Sequence, residues 1–109
     1  MSITYSQFSE LEIKIGTILS AEIVPEADRL LKLSVDVGEE TPRQIVSGIR
    51  EFFPEPEKLV GMQCPFLTNL ETRVIRGLES QGMILAGSEE RVFSLLNPSN
   101  PLPPGTLIK

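Results

Sequence analysis

Leu11-Glu12-Ile13-Lys14-Ile15-Gly16-Thr17-Ile18-Leu19-Ser20-Ala21-Glu22-Ile23 decides the fold. Leu11, Ile13, Ile15, Leu19, Ala21 and Ile23 share one phase, while Glu12, Lys14, Ser20 and Glu22 take the other. Period two is the side-chain period of a strand, so the run predicts one long, half-buried β-strand. Gly16 interrupts it early, where a missing Cβ permits a bend or bulge. A long first strand that has to curve is what a small closed barrel requires.

Before this strand, Thr4-Tyr5-Ser6-Gln7 has the capping-box pattern and predicts a single helical turn around residues 5–9. Beyond it, Pro25-Glu26-Ala27-Asp28 turns the chain. Alternation resumes with Leu31, Leu33, Val35 and Val37 against Lys32, Ser34 and Asp36. The polar stretch Gly38-Glu39-Glu40-Thr41-Pro42 then reads as a hairpin loop into a third strand marked by Ile45, Ser47 and Ile49. Pro54-Glu55-Pro56-Glu57-Lys58-Leu59-Val60-Gly61 carries proline and acids in front and glycine behind, the ends of a short helix. Further strands are predicted at about 62–70, 74–78 and 83–86, with short ones at 92–96 and 106–108 around a proline-rich loop, Asn97 to Gly105. Three strands, a short helix and more strands is the order of an OB-type barrel, a partly open five-stranded Greek key. The reading is therefore all-β: one domain over 1–109, with a five-stranded OB barrel at about 8–86, its short helix between strands 3 and 4, and a C-terminal β extension at about 87–109.

Composition narrows the function. The chain has 109 residues, enough for one core. No apolar run approaches the roughly 20 residues that span a bilayer. MSITYSQFSE has no basic stretch followed by an apolar one, so a cytoplasmic protein without membrane association is expected. Histidine is absent and Cys64 is the single cysteine. This excludes Ser-His and Cys-His nucleophile pairs, imidazole metal ligands, thiolate cages and an intrachain disulfide. Cys64 lies in the apolar run Gln63-Cys64-Pro65-Phe66-Leu67, where a buried inert thiol is expected. The carboxylates form no acid–base pair, and no phosphate-binding glycine loop is present. No enzymatic activity, cofactor or metal is expected.

The net charge of −5 is unlike that of a free-standing nucleic-acid binder. The acids are clustered, however, and none occurs from Lys58 to Leu70, with Arg73 and Arg76 soon after. In Asn69-Leu70-Glu71-Thr72-Arg73-Val74-Ile75-Arg76-Gly77-Leu78-Glu79-Ser80-Gln81-Gly82-Met83, guanidinium groups suit phosphates and can stack on bases. Asn and Gln can bond base edges, and Ser can donate to phosphate or ribose. On spacing alone, the plainer reading is arginines paired with Glu71 and Glu79, a turn at Asn69, a bend at Ser80-Gln81-Gly82 and a core methionine at Met83. The aromatic platform of a single-strand binder is weak, with five Phe, one Tyr and no Trp.

Taken together, Leu11–Ile18, Ala27-Asp28-Arg29-Leu30, Val35-Asp36-Val37-Gly38, Arg43-Gln44-Ile45-Val46-Ser47-Gly48-Ile49, Asn69-Leu70 and Glu79-Ser80-Gln81-Gly82-Met83 resemble the tRNA-binding domain family. This module occurs alone and appended to bacterial methionyl-tRNA synthetases and the beta chain of phenylalanyl-tRNA synthetases. The resemblance implies an OB barrel that binds tRNA by shape without catalysing a reaction. It implies RNA contacts at Asn69, Arg73, Ser80 and Met83, with Lys32, Ser47, Arg76 and Gln81 as second candidates. It also implies a homodimer joined through the segment beyond the barrel, where Val92, Phe93, Leu95 and Leu96 offer apolar surface, and an aminoacyl-tRNA synthetase as a possible partner. Glu71 and Thr72 stand where the family commonly has a lysine and a proline, which lowers the expected attraction to phosphate. The alternative is a dimeric chaperone or assembly module of the same fold with weak or lost RNA binding.

Overall fold

A computed structural model describes residues 1–109. Its centre is a sheet of β1 (Ile13–Ile23), β2 (Leu31–Asp36), β3 (Arg43–Ser47), β4 (Gln63–Leu67) and β7 (Met83–Ile84), ordered β3-β2-β1-β4-β7. All its pairings are antiparallel, and the sheet curls into a nearly closed OB-like barrel. Two small hairpins complete the chain. One joins β5 (Arg73–Ile75) to β6 (Leu78–Ser80), the other β8 (Ala86–Glu89) to β9 (Val92–Leu95).

β1 serves two neighbours. Ile13–Thr17 pair with β4, and Thr17–Ile23 pair with β2. The expected single phase does not hold along it. Ile18 faces Val35 and Ser20 faces Ser34, so Leu19 is an extra, bulged residue. Behind the bulge Ile15 and Ile18 are buried, whereas Leu19 and Ile23 turn outward. Gly16 has a different role from the one expected. A Cβ there would lie 2.6 Å from Val35 Cγ1 and 2.8 Å from Phe66 Cδ1, so glycine lets two walls of the barrel approach.

Ile18, Leu31, Leu33, Val35, Val37, Ile45, Ile49, Leu59, Cys64, Phe66 and Ile84 fill the barrel. The helix between strands 3 and 4 is present, but as a 3-10 turn, Pro56–Leu59, after another at Arg50–Phe52. Only one turn fits, because Val60 is already extended and the Gly61 N–H donates to Ile18 O at 2.8 Å. Buried Leu59 plugs this end of the barrel. The sole α-helix, α1 (Tyr5–Ser9), has the expected capping box. The Gln7 N–H donates to Thr4 Oγ1 at 3.1 Å, and the Thr4 N–H to Gln7 Oε1 at 2.9 Å.

The C-terminal segment packs back on the barrel. Phe93 stacks on Phe52, with centroids 4.3 Å apart, and meets Phe53 edge-on at 6.0 Å. Residues 105–108 line the edge of β1 through Gly105 N–H to Ile15 O, Ile15 N–H to Thr106 O and Ile108 N–H to Ile13 O. The strand expected at 106–108 is thus a single bridge, Lys14 to Leu107. Gln63 holds the proline-rich loop by exchanging bonds with both backbone groups of Leu102.

Candidate nucleic-acid interface

Between β4 and β7 the chain leaves the barrel at Thr68 and returns at Gly82. Arg73–Ser80 form a hairpin with register Arg73↔Ser80, Val74↔Glu79 and Ile75↔Leu78. The expected strand at 74–78 is therefore two strands and a turn. Arg76 and Gly77 form the turn, with φ of 54° and 79°, the pair of positive values that suits a tight two-residue hairpin. The Gln44 side-chain amide donates to Glu79 O at 2.9 Å and leans the hairpin against β3.

The six candidate residues between Asn69 and Met83 separate into two groups, with Lys32 and Ser47 outside both. Arg73, Arg76 and Met83 are exposed, Val74 between them is 69% exposed, and Met83 is 42% exposed rather than part of the core. Neither arginine forms an ion pair, so the expected pairing with Glu71 or Glu79 does not occur. Beside the turn, a cavity of ≈ 370 Å³ is lined by Ile75, Arg76 and residues 26–30, which brings Arg29 next to the tip together with Glu26 and Asp28.

Asn69, Ser80 and Gln81 hold the excursion in place. Asn69 accepts the Glu12 N–H at 2.8 Å and donates to Glu10 O at 2.6 Å, tying the hairpin root to the start of β1. Ser80 is 3% exposed. Its hydroxyl accepts the Val46 N–H at 3.0 Å and lies 3.1 Å from Gly82 O, to which it can donate, so it is not presented to a ligand at the surface. Gln81 closes the barrel seam twice, donating its N–H to Gln44 O at 2.8 Å and accepting the Gln44 N–H on Oε1 at 2.9 Å.

Lys32 and Ser47 occupy neighbouring positions of the β2–β3 ladder but opposite faces of the sheet. Lys32 is on the outer sheet face with Ser20, Ser34 and Gln44, 3.9 Å from Glu22. Ser47 opposes buried Leu31 and so belongs to the inward-facing phase at the barrel's end.

Arg43 is not among the site residues expected from sequence. It grips Glu39 with two bonds of 2.8 Å and donates from Nη1 to the carbonyls of Thr68 and Gln81. The bond to Glu39 holds the guanidinium above its ordinary pKa and, with lesser help from the charges of Arg43 and Lys14, Glu39 below its own. The four-residue spacing of Glu39 and Arg43 across a hairpin loop is the available sequence signal. Burial pushes the Cys64 thiol up to about 11.

The chain is similar to known proteins along most of its length. A family model described as "Putative tRNA binding domain" matches residues 13–107. A methionine–tRNA ligase of Methanococcoides burtonii is 50% identical over 107 residues, 97% of this chain. That of Bacillus subtilis is 46% identical over 98% of the chain. In both cases the chain spans 16% of the ligase. Among solved structures, a protein from Pyrococcus horikoshii described as related to methionyl-tRNA synthetase superposes with a TM-score of 0.92 at 32% identity, over 100% of this chain and 99% of that one. The chaperone CsaA of Bacillus anthracis superposes with a TM-score of 0.88 at 30% identity, over the whole of both chains. By the family model and by these relationships, the chain belongs to the tRNA-binding domain family.

Proposed function

We propose that this protein binds tRNA without catalysing a reaction, through the exposed hairpin between β4 and β7. The observation that carries this reading is the pair of unpartnered arginines, Arg73 and Arg76, displayed on a hairpin with a tight turn in a member of this family. Guanidinium groups without an ion-pair partner are available to phosphate, and a hairpin held on the barrel selects a backbone shape rather than a base sequence. Met83 and Val74 supply apolar surface beside them. Asn69, Ser80 and Gln81 contribute by fixing where the hairpin stands, and Lys32 and Ser47 are peripheral to it. Titration with total tRNA and with an unstructured single-stranded RNA tests the reading. Salt-sensitive binding that prefers tRNA is the expected result, and no binding of tRNA even at low salt would remove it.

The protein acts as a homodimer in the cytoplasm, in this reading, joined through residues 87–109. Supporting this, Val92 is 61% exposed and Leu96 and Leu107 are also exposed, while Phe93 and Leu95 on the same segment pack against the barrel core. A monomer in light scattering at micromolar concentration would contradict it. An assisting role beside an aminoacyl-tRNA synthetase is part of this reading, supported by the similarity to the ligases, of which the chain spans 16%. A chaperone function is the second reading, favoured by the whole-chain superposition on CsaA and by the charge of −5. Suppression of client-protein aggregation without any tRNA binding is the result that would select it.

A further inference from the structure

We infer that Arg43 is a positioning residue for RNA binding: its guanidinium clamps the two ends of the excursion that carries the hairpin. The inference rests on the tRNA-binding reading and names a residue that reading does not use. The excursion leaves the barrel at Thr68 and rejoins it through Gln81, and Arg43 Nη1 donates to the carbonyls of both. The other edge of the same guanidinium is held by Glu39, through Nε to Oε1 and Nη2 to Oε2, each 2.8 Å. One planar group therefore joins three segments: the loop between β2 and β3, the end of β4, and the bend before β7. Lysine cannot reproduce this, because an ammonium is a point donor without the rigid fork.

The arrangement also argues against Arg43 as a phosphate contact. Its donors face carbonyls and a carboxylate, and its charge is matched by Glu39 in the shortest ion pair of the chain. Arg73 and Arg76 on the hairpin, by contrast, are both without an ion-pair partner. Asn69 and Gln81 fix the same root by separate bonds, so losing the clamp loosens the hairpin without detaching it.

The test compares the full chain with Arg43→Lys, Arg43→Met and Glu39→Gln in total-tRNA titrations and in amide hydrogen exchange. A positioning role predicts that Arg43→Lys weakens tRNA binding roughly tenfold, about as much as Arg43→Met, although the charge is kept. It predicts little further loss when either change is added to Arg73→Ala/Arg76→Ala, because the positioned groups are already gone. Retained affinity in Arg43→Lys, or full additivity with the hairpin variant, would overturn the inference. Should the Arg43 variants not fold, Glu39→Gln decides. That change removes one negative charge, so charge alone predicts tighter RNA binding, whereas loss of the clamp predicts weaker binding.

Amide exchange keeps this separate from the tRNA reading. Even if the wild-type chain binds no tRNA, amides from Arg73 to Gln81 should exchange roughly tenfold faster in Arg43→Lys, with core amides of β1 and β2 unchanged. Equal exchange in the two proteins would contradict the clamp itself.

Discussion

The buried Ser80 hydroxyl accepts the backbone N–H of Val46 at 3.0 Å and so fills a gap in the barrel wall where β3 meets the returning chain. A residue that by type suits phosphate or ribose is thereby part of the fold. Ser80→Ala leaves the Val46 N–H buried without a partner and should cost about 1–3 kcal/mol. Urea unfolding checks this. Arg73→Ala, on an exposed hairpin strand, should change stability by no more than about 0.5 kcal/mol.

Gly16 supports a second prediction. Any side chain there meets Val35 and Phe66 at less than 3 Å. Gly16→Ala should destabilise by about 1–3 kcal/mol through overpacking, read as a lower urea midpoint. A neutral effect would mean that the two barrel walls are not in contact as described.

The Glu39–Arg43 clamp makes the hairpin root sensitive to acid. Glu39 has its pKa lowered from 4.5, first by its bond to Arg43 and also by the charges of Arg43 and Lys14, while Arg43 also feels Glu12. A carboxylate with a depressed folded-state pKa stabilises above its unfolded value, and this contribution is lost as pH falls through the folded one. Hairpin amide protection, compared between wild type and Glu39→Gln, should therefore differ at neutral pH and converge below the ordinary carboxylate value. A constant difference down to strong acid would contradict the assignment.

Much of the fold is legible in the sequence because its signals are local. The capping box at Thr4 and Gln7, the strand alternation of β1 and β2, and Pro56 and Gly61 at the ends of the short helix each act within a few residues. Leu19 escapes such a reading because a bulge is set by pairing with β2, and pairing lies outside any sequence window. The same limit hides the work of Asn69, Ser80 and Gln81, whose partners stand 57, 34 and 37 positions away. Arg43 looks like one basic residue in a strand, because its two carbonyl partners meet only after the barrel closes. The arginines of the hairpin are visible in the sequence, but their freedom from Glu71 and Glu79 depends on the hairpin register.

Cys64 gives a prediction independent of RNA. Buried against Phe66 and the barrel core, with its pKa raised to about 11, the thiol is protonated and shielded. Alkylation near neutral pH should be negligible in the native protein and complete in strong urea. Rapid modification of the native protein would contradict a closed barrel.

The central claim is that Arg73 and Arg76 meet the phosphates of tRNA. It is tested most directly by the salt dependence of tRNA affinity in the wild type and in Arg73→Ala/Arg76→Ala. Removing one arginine–phosphate pair should reduce the slope of log affinity against log salt by about 1. The double variant should bind more weakly, with a slope shallower by roughly 1–2. An unchanged slope and affinity in the folded double variant would contradict it.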